Sequence, residues 1–450
     1  MGWINSVEHN RWLSQQMQAL ITTGRKAIVE TGFGFLNADG QIDTDRPVDL
    51  ALTGRLTHVF CLATLMGIPG SRKYADHGIK CLSKYFKDPE YGGWFPAIKH
   101  ELDEDGNGIP CDKALESKSQ YANSFVVLAA ASGTAANRPG GHDLLMDVIR
   151  DQEAHWWDER VDRVRHRYSR DYETCAPYYG MDSNMHTTEA YLAVAEVMND
   201  PIWIDRATSI LKFVYDEASQ NNWRIGEHFD ENWKPMREHY GHSRVDRSNP
   251  YGVVIGHQME WSRLALHVRA ANRTLGRKSP DWLLELAQEM FERARVDGWR
   301  RHNGQPGFVY TVDFEGEPVS TNHMHWVAAE GVAATVALRR AVLDDGGSVG
   351  DVEHYDHCYR SWIDFIEEYI IEKPGRWLRE LDQDNNVVES SLPGLPDNYH
   401  AVQALLMPRL PLWPPFASAL SRNLLDHPEE PPTDRKGFSL FKRRDNQQNQ

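Results

Sequence analysis

Cysteine is scarce in this chain. Five occur in 450 residues, odd in number and scattered at Cys61, Cys81, Cys111, Cys175 and Cys358. No CxxC pair is present, which removes the disulfide frameworks of small secreted domains and the close-paired redox and zinc motifs. Free thiols in a reducing compartment are the expectation. Any apolar run of bilayer-spanning length is also missing. The N-terminal MGWINSVEHNRWLSQQ lacks the basic-then-apolar order of a secretory signal. The expected location is therefore the cytosol, with no membrane partner. Basic charge is short as well: 49 Lys and Arg against 65 Asp and Glu give a formal net charge of −16. With no basic stripe in the body of the chain, nucleic acid is excluded as the main partner. No GxSxG elbow, P-loop or Rossmann fingerprint in context occurs, so the common nucleophile and nucleotide chemistries have no anchor. No Ser/Gly linker divides the chain.

What the chain does have is a long period. Arg55, Tyr121, His186, His257, Glu330 and His400 stand near the starts of six Ala/Leu/Val-rich runs, separated by 66, 65, 71, 73 and 70 residues. Such regularity implies a repeated unit of two helices and a loop. Six amphipathic runs alternate with the apolar ones, at roughly 8–29, 71–87, 141–158, 201–219, 280–296 and 351–371. One apolar stripe and one charged face mark these as outer helices, while runs apolar nearly all round pack on both sides. The pattern predicts an all-α (α/α)6 barrel of six helical hairpins, with inner helices parallel and the six polar residues meeting at one mouth. A short last helix is expected within 413–425. Loops such as 93–108, 307–319 and 375–388 alternate aromatic and polar residues around acidic, Gly- or Asn-rich tips and read as short β-hairpins at that mouth. The tip at Asp103–Asn107 lacks a calcium loop's terminal Glu and reads as a plain turn. Residues 1–428 form one expected catalytic domain, and the polar 429–450 an expected disordered tail.

Three histidines at one mouth point to proton transfer near neutral pH. His257 leads: Gly256 precedes it, and Glu260 lies three residues on, where its carboxylate can hold the imidazole. His186 follows Asn184, a candidate helix cap. His400 follows Pro396-Asp-Asn-Tyr. Arg55 lies in an apolar run, so its guanidinium needs a buried oxygen partner, from Glu260 or a substrate. Tyr121 fits either core or site. Close-paired zinc motifs are absent; ligands from distant segments remain an alternative, but the reading adopted has no metal and no cofactor. A glycosidase would use two carboxylates such as Glu260 and Glu330, leaving the histidines without a role. A sugar-binding barrel without catalysis is the non-enzyme alternative.

These segments resemble the N-acylglucosamine 2-epimerase superfamily, in particular its aldose–ketose isomerase branch, whose members act on mannose or sulfoquinovose. The resemblance runs from about Trp12 to about Leu425. It rests on His9-Asn-Arg-Trp12-Leu, Thr31-Gly-Phe-Gly-Phe35, Asp76-His-Gly-Ile79, Tyr91-Gly-Gly-Trp94, Asn184-Met-His186, Gly256-His257 with Glu260-Trp261, Tyr310-Thr-Val-Asp313, Glu380-Leu-Asp382 and Tyr399-His400. It implies His257 and His400 as the acid/base pair. It implies Arg55, Tyr121, His186, Glu260, Trp326 and Glu330 around a monosaccharide, with Arg247 on a mobile loop; Arg379 is added as a pocket residue. Ala51 and Arg379 depart from the sulfoquinovose pattern, which has Trp and Gln there, and weigh against a sulfonated substrate. The implied activity is D-mannose–D-fructose interconversion through a cis-enediol, with D-lyxose–D-xylulose as a further pair and 2-epimerisation as the alternative. Monomer and homodimer both fit.

Overall fold

The computed structural model describes residues 3–241, 250–388 and 393–427. In chain order its helices are α1 (Val7–Gly24), α2 (Leu50–Leu65), α3 (Arg72–Lys84), α4 (Gln120–Ala135), α5 (Gly141–Asp151), α6 (Met181–Met198) and α7 (Ile202–Gln220). There follow α8 (Ile255–Thr274), α9 (Trp282–Gly298), α10 (His325–Asp344), α11 (Val349–Phe365), α12 (Tyr399–Leu406) and α13 (Phe416–Ser421). The even-numbered helices touch in sequence and α12 returns to α2, so they close an inner ring. The odd-numbered helices up to α11 pack outside it. This is the expected (α/α)6 barrel.

Sequence explains which helix goes where. In α2 and α4 almost every residue is buried, because other helices cover all their faces. In α3 and α5 one stripe is buried: Ala75, Ile79 and Leu82 in the first, Leu144, Leu145 and Val148 in the second. Inner helices approach closely where side chains vanish. A Cβ on Gly54 would lie 2.8 Å from the Phe125 backbone, so glycine is what lets α2 and α4 meet there.

Short strands fix the mouth. Residue pairs or triplets just before α2, α4, α6, α8 and α10 each pair antiparallel with a strand from the loop after the next outer helix. Among the described residues the sixth link has no paired strand; the Leu395 N–H donates to the Leu36 carbonyl at 2.9 Å and Arg46 to the Pro393 carbonyl at 3.4 Å, joining the segment before α12 to the first loop. Several hairpin tips share one device. Asp103, Asp230, Asp313 and Asp382 each accept backbone N–H bonds from residues two and four positions on. The carboxylate of Asp103 is thus used by its own turn, as the plain-turn reading requires.

One local expectation fails. Asn184 does not cap α6, which begins at Met181. Its amide instead bonds both backbone groups of Val164, at 3.0 and 3.2 Å, and ties a loop to the helix. At the end away from the mouth, α13 lies against α2, α4 and α6. Among the described residues no helix is long and apolar enough to cross a membrane. The tail expected at 429–450 lies outside the described residues.

Candidate active site

The mouth opens into a cavity of about 530 Å³. Arg55, Tyr121, His186, His257, Glu260, Trp326, Arg379 and His400 all line it. Five of the six periodic residues therefore meet as the spacing requires. The sixth, Glu330, is 1% exposed and sits behind His400. Arg247 lies outside the described residues.

Each leading histidine is held by a carboxylate. His400 Nδ1 lies 2.8 Å from Glu330 Oε1. His257 Nδ1 lies 2.8 Å from Glu227 Oε2. The second pairing corrects the sequence reading, which gave that role to Glu260. Glu227 precedes the strand His228–Asp230, which pairs with Tyr178–Gly180; its carbonyl also accepts the Met181 N–H at 3.0 Å. That strand link, rather than the helix, aims the carboxylate. With Nδ1 committed in both rings, Nε2 is the nitrogen left for a substrate.

Electrostatics separate the site's groups. Burial alone would lower His257, but the charge and hydrogen bond of Glu227, with Glu260 and Asp182 nearby, hold it up at about 9. Burial drives His186 well below its ordinary value, helped by Arg55, His400, His257 and Arg263. Its Nδ1 has no hydrogen-bond partner among the described residues and lies 3.6 Å from Glu260 Oε1. Burial also raises Glu260 well above the carboxylate range; Glu330 and Glu189 add to this against Arg263 and His257.

Arg55 finds its anion in Asp397, at 3.0 Å, not in Glu260. Its other nitrogen donates to the Tyr121 hydroxyl at 2.9 Å, which places Tyr121 in the site. Burial works against the Arg55 charge, yet Tyr121, Asp397 and Tyr399 raise the guanidinium above its ordinary value. Arg379 donates to the carbonyls of Gly394 and Leu395, at 3.3 and 2.5 Å, and so braces the segment ahead of α12. Beneath the cavity floor Arg263 donates to Glu330 at 3.0 Å.

Trp326 stands between the two leading histidines, with ring centroids 5.2 Å from His257 and 5.5 Å from His400. A Cβ on Gly256 would collide with the Trp326 ring. Gly256→Ala is therefore expected to displace Trp326 from between the histidines and to lower turnover about tenfold or more. The overpacking should cost about 1–3 kcal/mol of stability. Steady-state kinetics with a thermal melt check both.

Sequence reasoning missed Glu227, Asp397 and Arg263. Glu227 and Asp397 sit in connecting segments, outside the helical period. Arg263 shares the His257 helix, and its being buried, at 1% exposure, was the one signal needed.

Fold and mouth together define the class: the (α/α)6 barrel of sugar epimerases and isomerases. The model of the family N-acylglucosamine 2-epimerase (GlcNAc 2-epimerase) matches residues 32–404. A D-mannose isomerase from Pseudomonas cannabina pv. alisalensis is 38% identical over 93% of this chain and 97% of its own length. One from Thermobifida fusca is 38% identical over 93% and 98%. A solved D-mannose isomerase structure superposes with a TM-score of 0.78 at 23% identity, covering 91% of this chain and 99% of its own. The chain belongs to the N-acylglucosamine 2-epimerase family.

Proposed function

We propose that this chain is an aldose–ketose isomerase converting D-mannose to D-fructose. The observation that carries the reading is the pair of cavity-lining histidines, each held at Nδ1 by a buried carboxylate. The D-mannose isomerases at 38% identity supply the sugar.

The chemistry runs as follows. His257, protonated at neutral pH, donates to the ring oxygen as the anomeric hydroxyl loses its proton to solvent, and the pyranose opens to expose the carbon-1 carbonyl. The hydrogen on carbon 2 is now acidic, and His400 Nε2 takes it. The electron pair forms the carbon 1–carbon 2 double bond, and charge develops on oxygen 1, where Arg55 and the neutral His186 stabilise it. Oxygen 1 takes up a proton from solvent, and the cis-enediol results. His400 then returns a proton to carbon 1 while the 2-hydroxyl loses its own to solvent, giving the ketose, and His257 regains its proton from solvent. The substrate carbonyl is the electron sink, so the steps call for no cofactor.

The test is proton NMR of the purified protein with D-mannose in D₂O, with and without EDTA. Fructose carrying one deuterium on carbon 1, formed equally in both, is the expected product. Glucose labelled at carbon 2 would make the enzyme a 2-epimerase. No product and no exchange would reject mannose.

A further inference from the structure

The two histidines look alike until their carboxylates are compared. Glu330 accepts from His400 through Oε1 and from Arg263 through Oε2, at 2.8 and 3.0 Å. Glu227 has no arginine or lysine partner among the described residues; it meets His257 and, at 3.4 Å, the Val254 N–H. Among the described residues one histidine is therefore backed by an anion with no cation partner. The other is backed by an anion already matched by a buried cation.

We propose that Arg263 is a positioning residue for the base: by neutralising Glu330 it leaves His400 free to accept a proton, while Glu227, with no cation partner among the described residues, makes His257 the donor. This deepens the isomerase reading and rests on it for the names of the two roles.

The surroundings support the argument. Arg263 is 1% exposed, and its side chain reaches three buried carboxylates: Glu330, Glu260 at 3.4 Å and Glu189 at 3.9 Å. Ligand atoms of His186, Glu189 and Glu260 lie within 4.8 Å of one another, as do those of Glu260, Glu330 and His400. Such clusters resemble cation sites, and the guanidinium stands among them as the cation. Glu189 is further held by Tyr399 and by Gln403 at 2.7 Å, which leaves Glu330 the carboxylate closest to the arginine.

Other charged and titratable groups face the His400 cavity from each packed element, the His257 imidazolium and the Arg379 guanidinium among them. Arg55 of α2 and Arg379 share one anion, Asp397 ahead of α12. His186 of α6 and His325 at the start of α10 are both driven low by burial, the latter to about 3, and carry no charge at neutral pH. Burial, with Glu330 and Glu189 close by, keeps Glu260 of α8 high despite Arg263 and His257. What distinguishes His400 from His257 is the hydrogen-bonded partner, the Glu330–Arg263 pair against Glu227. Burial favours a raised Glu330, but Arg263 and His400 overcome it and hold the carboxylate below its ordinary range.

The experiment reads histidine charge directly. Long-range ¹H–¹⁵N spectra of the full-length labelled protein, without sugar, are assigned through His257→Gln and His400→Gln. At pH 7 the expected pattern is an imidazolium at His257 and a neutral ring protonated on Nδ1 at His400. In Arg263→Met the His400 ring should become imidazolium at pH 7. The acid limb of the kcat/KM profile should then move up by about one unit or more. Arg263→Lys keeps the charge and should keep the wild-type spectrum. A wild-type imidazolium at His400, or Arg263→Met that lowers kcat with both spectrum and limb unmoved, would overturn the proposal. Should Arg263→Met fail to fold, the wild-type spectrum and Arg263→Lys decide: a limb displaced by about a unit with the charge retained also overturns it. The spectra need no substrate, so rejection of mannose leaves this test intact, and the reverse also holds.

Discussion

His400→Gln is expected to lower kcat for mannose by about 10²–10⁴-fold, the range for loss of a positioned acid/base group. Glutamine can accept a hydrogen bond but cannot carry a proton between carbons 2 and 1. KM should change little, because the sugar's remaining contacts are untouched. Deuterium exchange at carbon 2 should vanish with turnover, since the same group opens both paths. The fold should survive. Removing one partner of a buried ion pair usually costs several kcal/mol because the other charge is stranded. Here Glu330 keeps Arg263 at 3.0 Å when the imidazole is gone. A circular dichroism melt close to wild type, together with a rate below a tenth of wild type, is the expected combination. A rate above a tenth rejects His400 as the base.

His400 could be picked out because the period of about 70 residues reads inner-helix positions. Arg55, Tyr121, His186 and His257 emerge by the same route, and the cavity gathers them as the spacing requires. A repeat places helix starts on one ring whatever the loops do, so it locates residues that ride on those starts. It cannot tell which carboxylate reaches which imidazole. Glu260 was the natural partner for His257 by its spacing of three on one helix. Side chains that leave an inner helix at that spacing still diverge around the axis, and Glu260 turns down toward Arg263 and His186, at 3.4 and 3.6 Å. Glu227 reaches His257 from the residue ahead of the strand His228–Asp230, which is set by pairing with Tyr178–Gly180. The same applies to Arg55: a buried guanidinium demanded an anion, and Asp397 from the segment before α12 supplies it. Asn184 reads as a cap for a helix starting at Met185, four residues after the observed start at Met181; the strand before α6 brings its first turn forward.

Glu227→Gln should expose what that carboxylate does. The amide keeps an acceptor for His257 Nδ1, so the ring should hold its place, but the negative charge is lost. Burial acts to lower His257, and the charge and hydrogen bond of Glu227 lead the effects that lift it to about 9. With the charge gone, burial dominates and the imidazolium is disfavoured. His257 is proposed to act as an acid, so its protonated form is the active one and wild-type kcat/KM should fall as pH rises through about 9. In Glu227→Gln that falling limb should move to lower pH, toward or below 6.5, the group's ordinary value. At pH 8 turnover should then drop by about tenfold or more, and acidifying the medium should recover part of it. Stability carries the same signature with a defined sign. A pKa raised on folding contributes stability that is present below the unfolded value of 6.5 and lost as pH rises through about 9. Between those limits the wild-type melting temperature should fall more steeply with pH than that of Glu227→Gln. A variant that lowers kcat equally at every pH, with no movement of the limb, would remove Glu227 from the proton-transfer machinery and leave it a structural tie between strand and helix.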